Sequence, residues 1–321
     1  MMKSAFRTCC LALAMLAVAS AAAADTYPSK PIRLIVPYAA GTGVDSMGRH
    51  VATGLTKDLG QTVIVENKPG ANGMIGTELV AKSPPDGYVL LMAGSATHSS
   101  ANALYKSVPY NVETDFQPIS NFIDADFFLV VRNESPIKSV ADLNAFVKAN
   151  PGKASFGFGS TTTEVAGLTY LKLIGGQAVA VPYKGNSVAL NDLLGGQIDF
   201  MWVDQTVGLP QLAGGKIRAL AVASKQRRAD LPNVPTTHEQ GLDMSVNAWI
   251  GLMAPAGIPA DVKDKLVKAA ANLLRDPEVR QKMAASGRVS DPMTPEQYIA
   301  YLKSERNSWE TKIRSAGIQP Q

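Results

Sequence analysis

The sequence predicts an α/β protein of two lobes, each a doubly wound, mostly parallel sheet flanked by helices. Three observations predict it. Ile32–Arg49, IRLIVPYAAGTGVDSMGR, reads as strand, glycine turn and helix. The order strand–helix–strand–helix–strand then occurs twice along the chain, the pattern of a parallel sheet with helical crossovers. The length, 321 residues, suits two compact cores better than one.

Met1–Ala24 stands apart. Lys3 and Arg7 supply a charged end, Thr8–Ala19 an uncharged apolar run, and Ala22-Ala23-Ala24 a small-residue cleavage site before Asp25. This is the make-up of a signal peptide cleaved near Ala24, and the run is too short and alanine-rich for a membrane span. Cys9 and Cys10, the two cysteines, lie inside it. The mature chain therefore has no disulfide, thiolate metal site or cysteine nucleophile. Of 31 basic and 27 acidic residues, Lys3 and Arg7 leave with the peptide, so 29 face 27. That balance excludes a nucleic-acid footprint. His50, His98 and His238 have no metal-ligand spacing, and no cofactor is expected.

In the first unit, Ile32–Val36 is an apolar strand that Pro37 ends. Gly41 and Gly43 turn the backbone, and Val44, Met47, Val51, Leu55 and Leu59 recur at helical spacing. Val63–Glu66 is a strand, Asn67–Gly73 a turn cluster, Met74–Lys82 a helix and Tyr88–Ala93 a strand, followed by the loop Gly94–His98. Asp126–Val131 is an apolar crossing between lobes. The second unit comprises helix Ser139–Ala149, strand Ala154–Phe158, helix Glu164–Ile174, strand Ala178–Val181, helix Ser187–Leu194 and strand Ile198–Val203. Lys216–Ala223 is expected to return to the first lobe. Ala248–Ala254 is a last strand, and helices near Ala260–Leu274, Pro277–Ser286 and Pro295–Ala316 close the chain. The lobes are then 25–123 with 222–321, and 124–221, hinged near Asn121–Phe127 and Ala219–Lys225.

Ligands of open parallel sheets bind beyond the carboxyl ends of the strands. That rule selects the loops Pro37–Asp45, Gly94–His98, Gly157–Glu164 and Trp202–Thr206. None carries lysine or arginine, and together they are rich in glycine and hydroxyls. An anion here would be held by backbone N–H groups, hydroxyls and water. The candidate contacts are Tyr38, Ala40, Gly41, Thr42, Gly43, Asp45, Ser95, Thr97, Ser160, Thr161, Thr162, Thr163, Glu164 and Asp204. Each has a plainer alternative. Asp45, the threonine run and Glu164 stand where helix caps stand, Tyr38 can pack beneath its loop, and Trp202 and Trp249 suit a core. A Glu164 that does face the cleft would favour a ligand hydroxyl or ammonium.

Tyr27–Ile32 leading into Pro37–Asp45 resembles the Bug (TctC-like) family, the extracytoplasmic solute-binding proteins of tripartite tricarboxylate transporters. The similarity continues through Val65–Gly73, Pro84–Tyr88, Val181–Gly185, Asp192–Asp199, Pro235–Gly241, Ala248–Leu252 and Ala254–Pro259, in order over the whole mature chain. It implies a periplasmic, two-lobed, Venus-flytrap binding protein without catalysis. It also implies a carboxylate held between Tyr38–Asp45 and Gly159–Glu164 by backbone amides and ordered waters. The partners it implies are the transporter's membrane subunits, with a monomer expected; presentation of the ligand to a membrane sensor kinase is the alternative. One departure stands out. The family's second-lobe loop usually reads serine and glycines before a histidine at the helix start, where this chain has Ser160-Thr161-Thr162-Thr163-Glu164.

Two enzyme readings are weaker. Gly41-x-Gly43-x-x-Ser46 before a helix, with Glu66 ending the next strand, is a distant echo of a dinucleotide fingerprint, but its third position is serine and Pro37–Ala40 lengthens the turn. A serine hydrolase would need a Gly-x-Ser-x-Gly elbow, and the sequence has none.

Overall fold

The computed structural model describes residues 27–284 and 288–320. The signal peptide expected at Met1–Ala24 lies outside the described residues. β1 (Ile32–Val36) leads through the Pro37–Thr42 loop into α1 (Gly43–Leu59). Thr42 caps the helix by accepting from the Asp45 amide, and Gly60 ends it in the left-handed conformation. β2 (Val63–Asn67), α2 (Met74–Ala81) and β3 (Val89–Gly94) complete the first unit, with β1 between β2 and β3 and parallel to both. Gly94–His98, expected as a loop, contains the short helix α3 (Ser95–His98), followed by α4 (Ala101–Leu104).

β4 (Phe116–Arg132) is one strand of 17 residues. The expected crossing at Asp126–Val131 is only its second half. The second unit is α5 (Val140–Ala149), β5 (Ser155–Phe158), α6 (Thr161–Ile174), β6 (Val179–Pro182), α7 (Asn186–Leu194), β7 (Phe200–Asp204) and α8 (Gln205–Ala213). Then come β8 (Ile217–Val222), β9 (Asn247–Pro255), α9 (Ala260–Arg275), α10 (Pro277–Ala284), β10 (Arg288–Val289) and α11 (Pro295–Ala316).

The strands form one curled sheet in the order β2-β1-β3-β9-β4-β7-β5-β6, with β8 and β10 also on β4. β4 changes partners along its length. Phe116–Asp126 pairs antiparallel with β9, and Phe127–Arg132 lies between β7 and β8. The sheets are thus mixed rather than purely doubly wound: β1–β3 and β5–β7 are the parallel halves, and β4, β8 and β9 run against their neighbours. β8 corrects the expectation for Lys216–Ala223. It does not return to the first lobe but pairs with the far half of β4, because Ile217 and Val222 pack into the second lobe's core with Val130 and Met201. The return is made by residues 223–246, pinned where the Val246 amide donates to the Ala223 carbonyl.

Period-two alternation sends each sheet's side chains into two layers. In the first lobe Leu34 meets Val51 and Leu273 on one face, while Ile35 meets Val80 and Leu302 on the other. In the second, Phe128 and Val130 meet Leu190, while Leu129 and Val131 meet Tyr170 and Trp202. Trp202 and Trp249 are both core residues. α11, expected with the first lobe, serves both: Tyr298 and Leu302 pack with Trp249, and Trp309 and Ile313 pack with Trp202.

Candidate ligand-binding site

In the first lobe, Gly41 takes φ 84° to turn the chain into α1. The loop's geometry is then fixed by Asp45. Its buried carboxylate accepts from the Gly41 amide at 2.9 Å, from Asn67 Nδ2 at 2.9 Å, and from the Arg49 guanidinium twice at 3.1 Å. Burial alone would raise the carboxyl's pKa, but the Gly41 amide, Asn67 and Arg49 outweigh it and hold it below its ordinary value. Asn67 Nδ2 also donates to the Tyr38 carbonyl at 3.0 Å. Asp45 therefore braces the loop from within. It is neither the helix cap, which is Thr42, nor a carboxylate free to meet a ligand. Ala40, Gly41, Thr42 and Gly43 are exposed at the rim, and the first-turn amides of Gly43 and Val44 have no intrahelical acceptor.

Ser95 and Thr97, expected at the cleft, are both buried. Ser95 Oγ accepts from the Trp249 amide at 2.8 Å, which ties α3 to β9. Thr97 Oγ1 pairs with His98 Nδ1 at 2.9 Å. A short helix turned their hydroxyls into the sheet junction, where a loop would have left them at the cleft. Tyr38 is half-buried, its phenol end packed against Gly73 and its pKa pushed up by burial and by Tyr105.

The second lobe repeats the logic. Ser160 caps α6 in a reciprocal pair with Thr163, which is fully buried. Asn186 Oδ1 accepts from the Gly159 amide at 3.1 Å and from Thr163 Oγ1 at 3.2 Å, while its Nδ2 donates to Asp204 Oδ2 at 2.9 Å. Asp204 itself caps α8, accepting from the Val207 amide. Gly159 permits this arrangement: a Cβ there would stand 2.0 Å from the Gly185 carbonyl carbon. Thr163 and Asp204 are thus braces. Thr161, Thr162 and Glu164 remain half-buried, and burial raises the Glu164 carboxyl's pKa.

Of two residues outside the expected set, Asn72 joins the lobes and Asn186 braces the second. Asn72, in the left-handed conformation at φ 56°, donates to Tyr105 Oη at 2.8 Å and to Thr161 Oγ1 at 3.4 Å. Asn67-Lys68-Pro69-Gly70-Ala71-Asn72-Gly73 was visible as a turn cluster, but nothing in it reveals which side chain spans the gap. Asn186 gave no signal at all. A cavity of about 1010 Å³ lies elsewhere, between the 223–230 segment and α11. Its Arg228 is already engaged by Asp126, Asp230 and Gln205. Among the described residues no group of three acidic or histidine side chains could hold a metal, and no helix is long and apolar enough to cross a membrane.

Two lobes on one curled sheet, with capped, glycine-rich loops facing each other, define the class of two-lobed periplasmic binding proteins. The model of the tripartite tricarboxylate transporter family receptor matches residues 47–318, and the chain belongs to that family, which is one of binding proteins rather than enzymes. It is 34% identical to the protein BugT of Bordetella pertussis over 96% of this chain and 95% of that one. The structure of the periplasmic binding protein BugD superposes with a TM-score of 0.79 at 35% identity, over 92% of this chain and all of that one. MatC from Rhodopseudomonas palustris with bound malate gives 0.77 at 29%, over 89% of this chain and all of that one.

Proposed function

We propose that this protein, exported by a signal peptide cleaved near Ala24, captures a small organic carboxylate between its lobes. It then delivers the ligand to the membrane subunits of a tripartite tricarboxylate-type transporter. The lobes are 25–123 with 222–321, and 124–221, closing by a hinge where β4 changes partners. The observation that carries this reading is the pair of glycine- and hydroxyl-rich loops at the starts of α1 and α6, with Asn72 of the first lobe reaching Thr161 on the α6 side. Each loop is braced internally by its own asparagine, and neither carries a cation. Their first-turn amides and the hydroxyls of Thr42, Thr161 and Thr162 are what remains to meet an anion. Hydrogen bonds to a charged group contribute about 1.5–3 kcal/mol each, so three or four of them suffice for micromolar affinity after ordering costs. The malate carried by MatC agrees with a carboxylate ligand.

A thermal-shift panel of carboxylates, each with its amide or ester, tests the reading. An acid at about 100 times its dissociation constant adds about 2.7 kcal/mol. A shift with an acid that its amide does not give is the expected result. Shifts only with neutral sugars or nucleotides would refute it.

A further inference from the structure

We propose that Glu164 is a specificity-determining residue of the cleft, selecting a ligand that carries an ammonium group together with its carboxylate: an amino acid rather than a plain dicarboxylate. The inference rests on the carboxylate reading above and goes one step further.

Position comes first. Thr161, one turn before Glu164 on α6, touches Asn72 of the first lobe. Leu168, one turn after it, packs on the second lobe's apolar cluster, which also takes in Leu104 of the first lobe. Residues three and four apart share a helix face. Glu164 therefore shares the helix face of Thr161, the residue that reaches the opposite lobe, and is half-buried there.

Charge is the second part. The other two carboxylates of the four loops are spoken for, Asp45 by Arg49, Asn67 and the Gly41 amide, and Asp204 by Asn186 and the Val207 amide. Among the described residues the Glu164 carboxylate has no hydrogen-bond or ion-pair partner, and burial alone raises its pKa. The four loops contain no lysine or arginine that could neutralise it. A half-buried carboxylate without a partner repels a second anionic group and attracts a cation. The α1 side has the opposite character, since its one acid is neutralised and its first-turn amides are exposed. Both walls of the cleft thus offer donors and only the α6 wall adds an unpaired acid, which fits a zwitterion with its ammonium group on that side.

The test is calorimetric titration of the full mature chain with matched ligands: aspartate, malate and succinate, then glutamate and glutarate, with aspartate diamide as the ligand lacking carboxylates. The expected result is at least tenfold tighter binding of the amino acid than of its unsubstituted diacid. Glu164→Gln should abolish that preference, Glu164→Asp should keep part of it, and melting curves should show all three proteins folded. Equal affinity of the wild type for aspartate and succinate, or a preference that survives Glu164→Gln, overturns the proposal. A hydroxy acid preferred over the amino acid overturns it too. Diamide binding as tight as aspartate would instead refute the carboxylate reading. Binding of diacids alone would leave that reading standing while removing the role of Glu164.

Discussion

Asp45→Ala removes the acceptor of four hydrogen bonds while leaving the Thr42 cap in place. The Arg49 side chain is 55% exposed, so its share is small, about 0.5 kcal/mol. The Asn67 amide keeps the Tyr38 carbonyl as a partner, and Gly41, at the exposed rim, can turn its N–H to water. Bonds to a charged acceptor contribute about 1.5–3 kcal/mol, and partial rescue by water brings the expected total loss to about 2 kcal/mol. At the low end of the scale for chains of 150–250 residues, the melting temperature falls by about 4 °C. Affinity for the ligand falls about tenfold, because the loop must now be ordered at the expense of binding. The pH dependence has a definite sign. A carboxyl held below its ordinary value of 3.8 stabilises the fold above that value and ceases to do so as pH falls through the folded-state value. The stability gap between wild type and variant should therefore be full at pH 5–7 and close below about pH 4. Differential scanning calorimetry across that range, with ligand titration at pH 7, is the assay. An unchanged melting temperature together with unchanged affinity would refute the bracing role.

Three further outcomes are expected. Gly159→Ala sets a methyl group against the Gly185 backbone; it should cost about 3 kcal/mol in chemical denaturation, and a cost under about 0.5 kcal/mol would show that the loops after β5 and β6 do not need their close approach. His98 is buried among Tyr110, Phe116 and Trp249, and burial, aided by the Arg306 charge, lowers its pKa to about 3. Because the unfolded chain binds that proton at 6.5, native stability should fall by about 1.4 kcal/mol per pH unit below 6.5. His98→Phe should flatten that part of the curve, and parallel curves would contradict the assignment. Asn72→Gly keeps the left-handed backbone but loses the bridge to Tyr105 and Thr161; affinity should weaken about fivefold, equivalent to about 1 kcal/mol, with little change in melting temperature. Unchanged affinity would remove Asn72 from the closing contact.

Much of this was legible because the signals were local. Ile32–Val36 is an apolar run bounded by a proline, and it is β1 to the residue. Helix starts were legible near Asp45 and the threonine run, although the caps themselves are Thr42 and Ser160, just before them. What the sequence hid depends on partners far away along the chain. The hydroxyls of Ser95 and Thr97 look like site chemistry until β9, some 150 residues later, supplies the Trp249 amide. Asp45 looks like a ligand contact until Asn67 and Arg49 close around it. Asn186 is an ordinary helix-start residue until the ends of β5 and β7 arrive on either side of it. β8 reads as a strand but not as a neighbour of β4, since strand partners leave no trace in periodicity.

β4 has a practical meaning for anyone who would take this molecule apart. A single strand serves as a sheet member for both lobes, and α11 lends Trp309 and Ile313 to the core of one and Tyr298 to the other. A fragment such as 124–221 would keep half a strand and lose the aromatic lid that closes its interior. Truncation is thus a poor route to a minimal version. A reporter dye or a fused domain belongs on an outward-facing helix, with the backbone left whole.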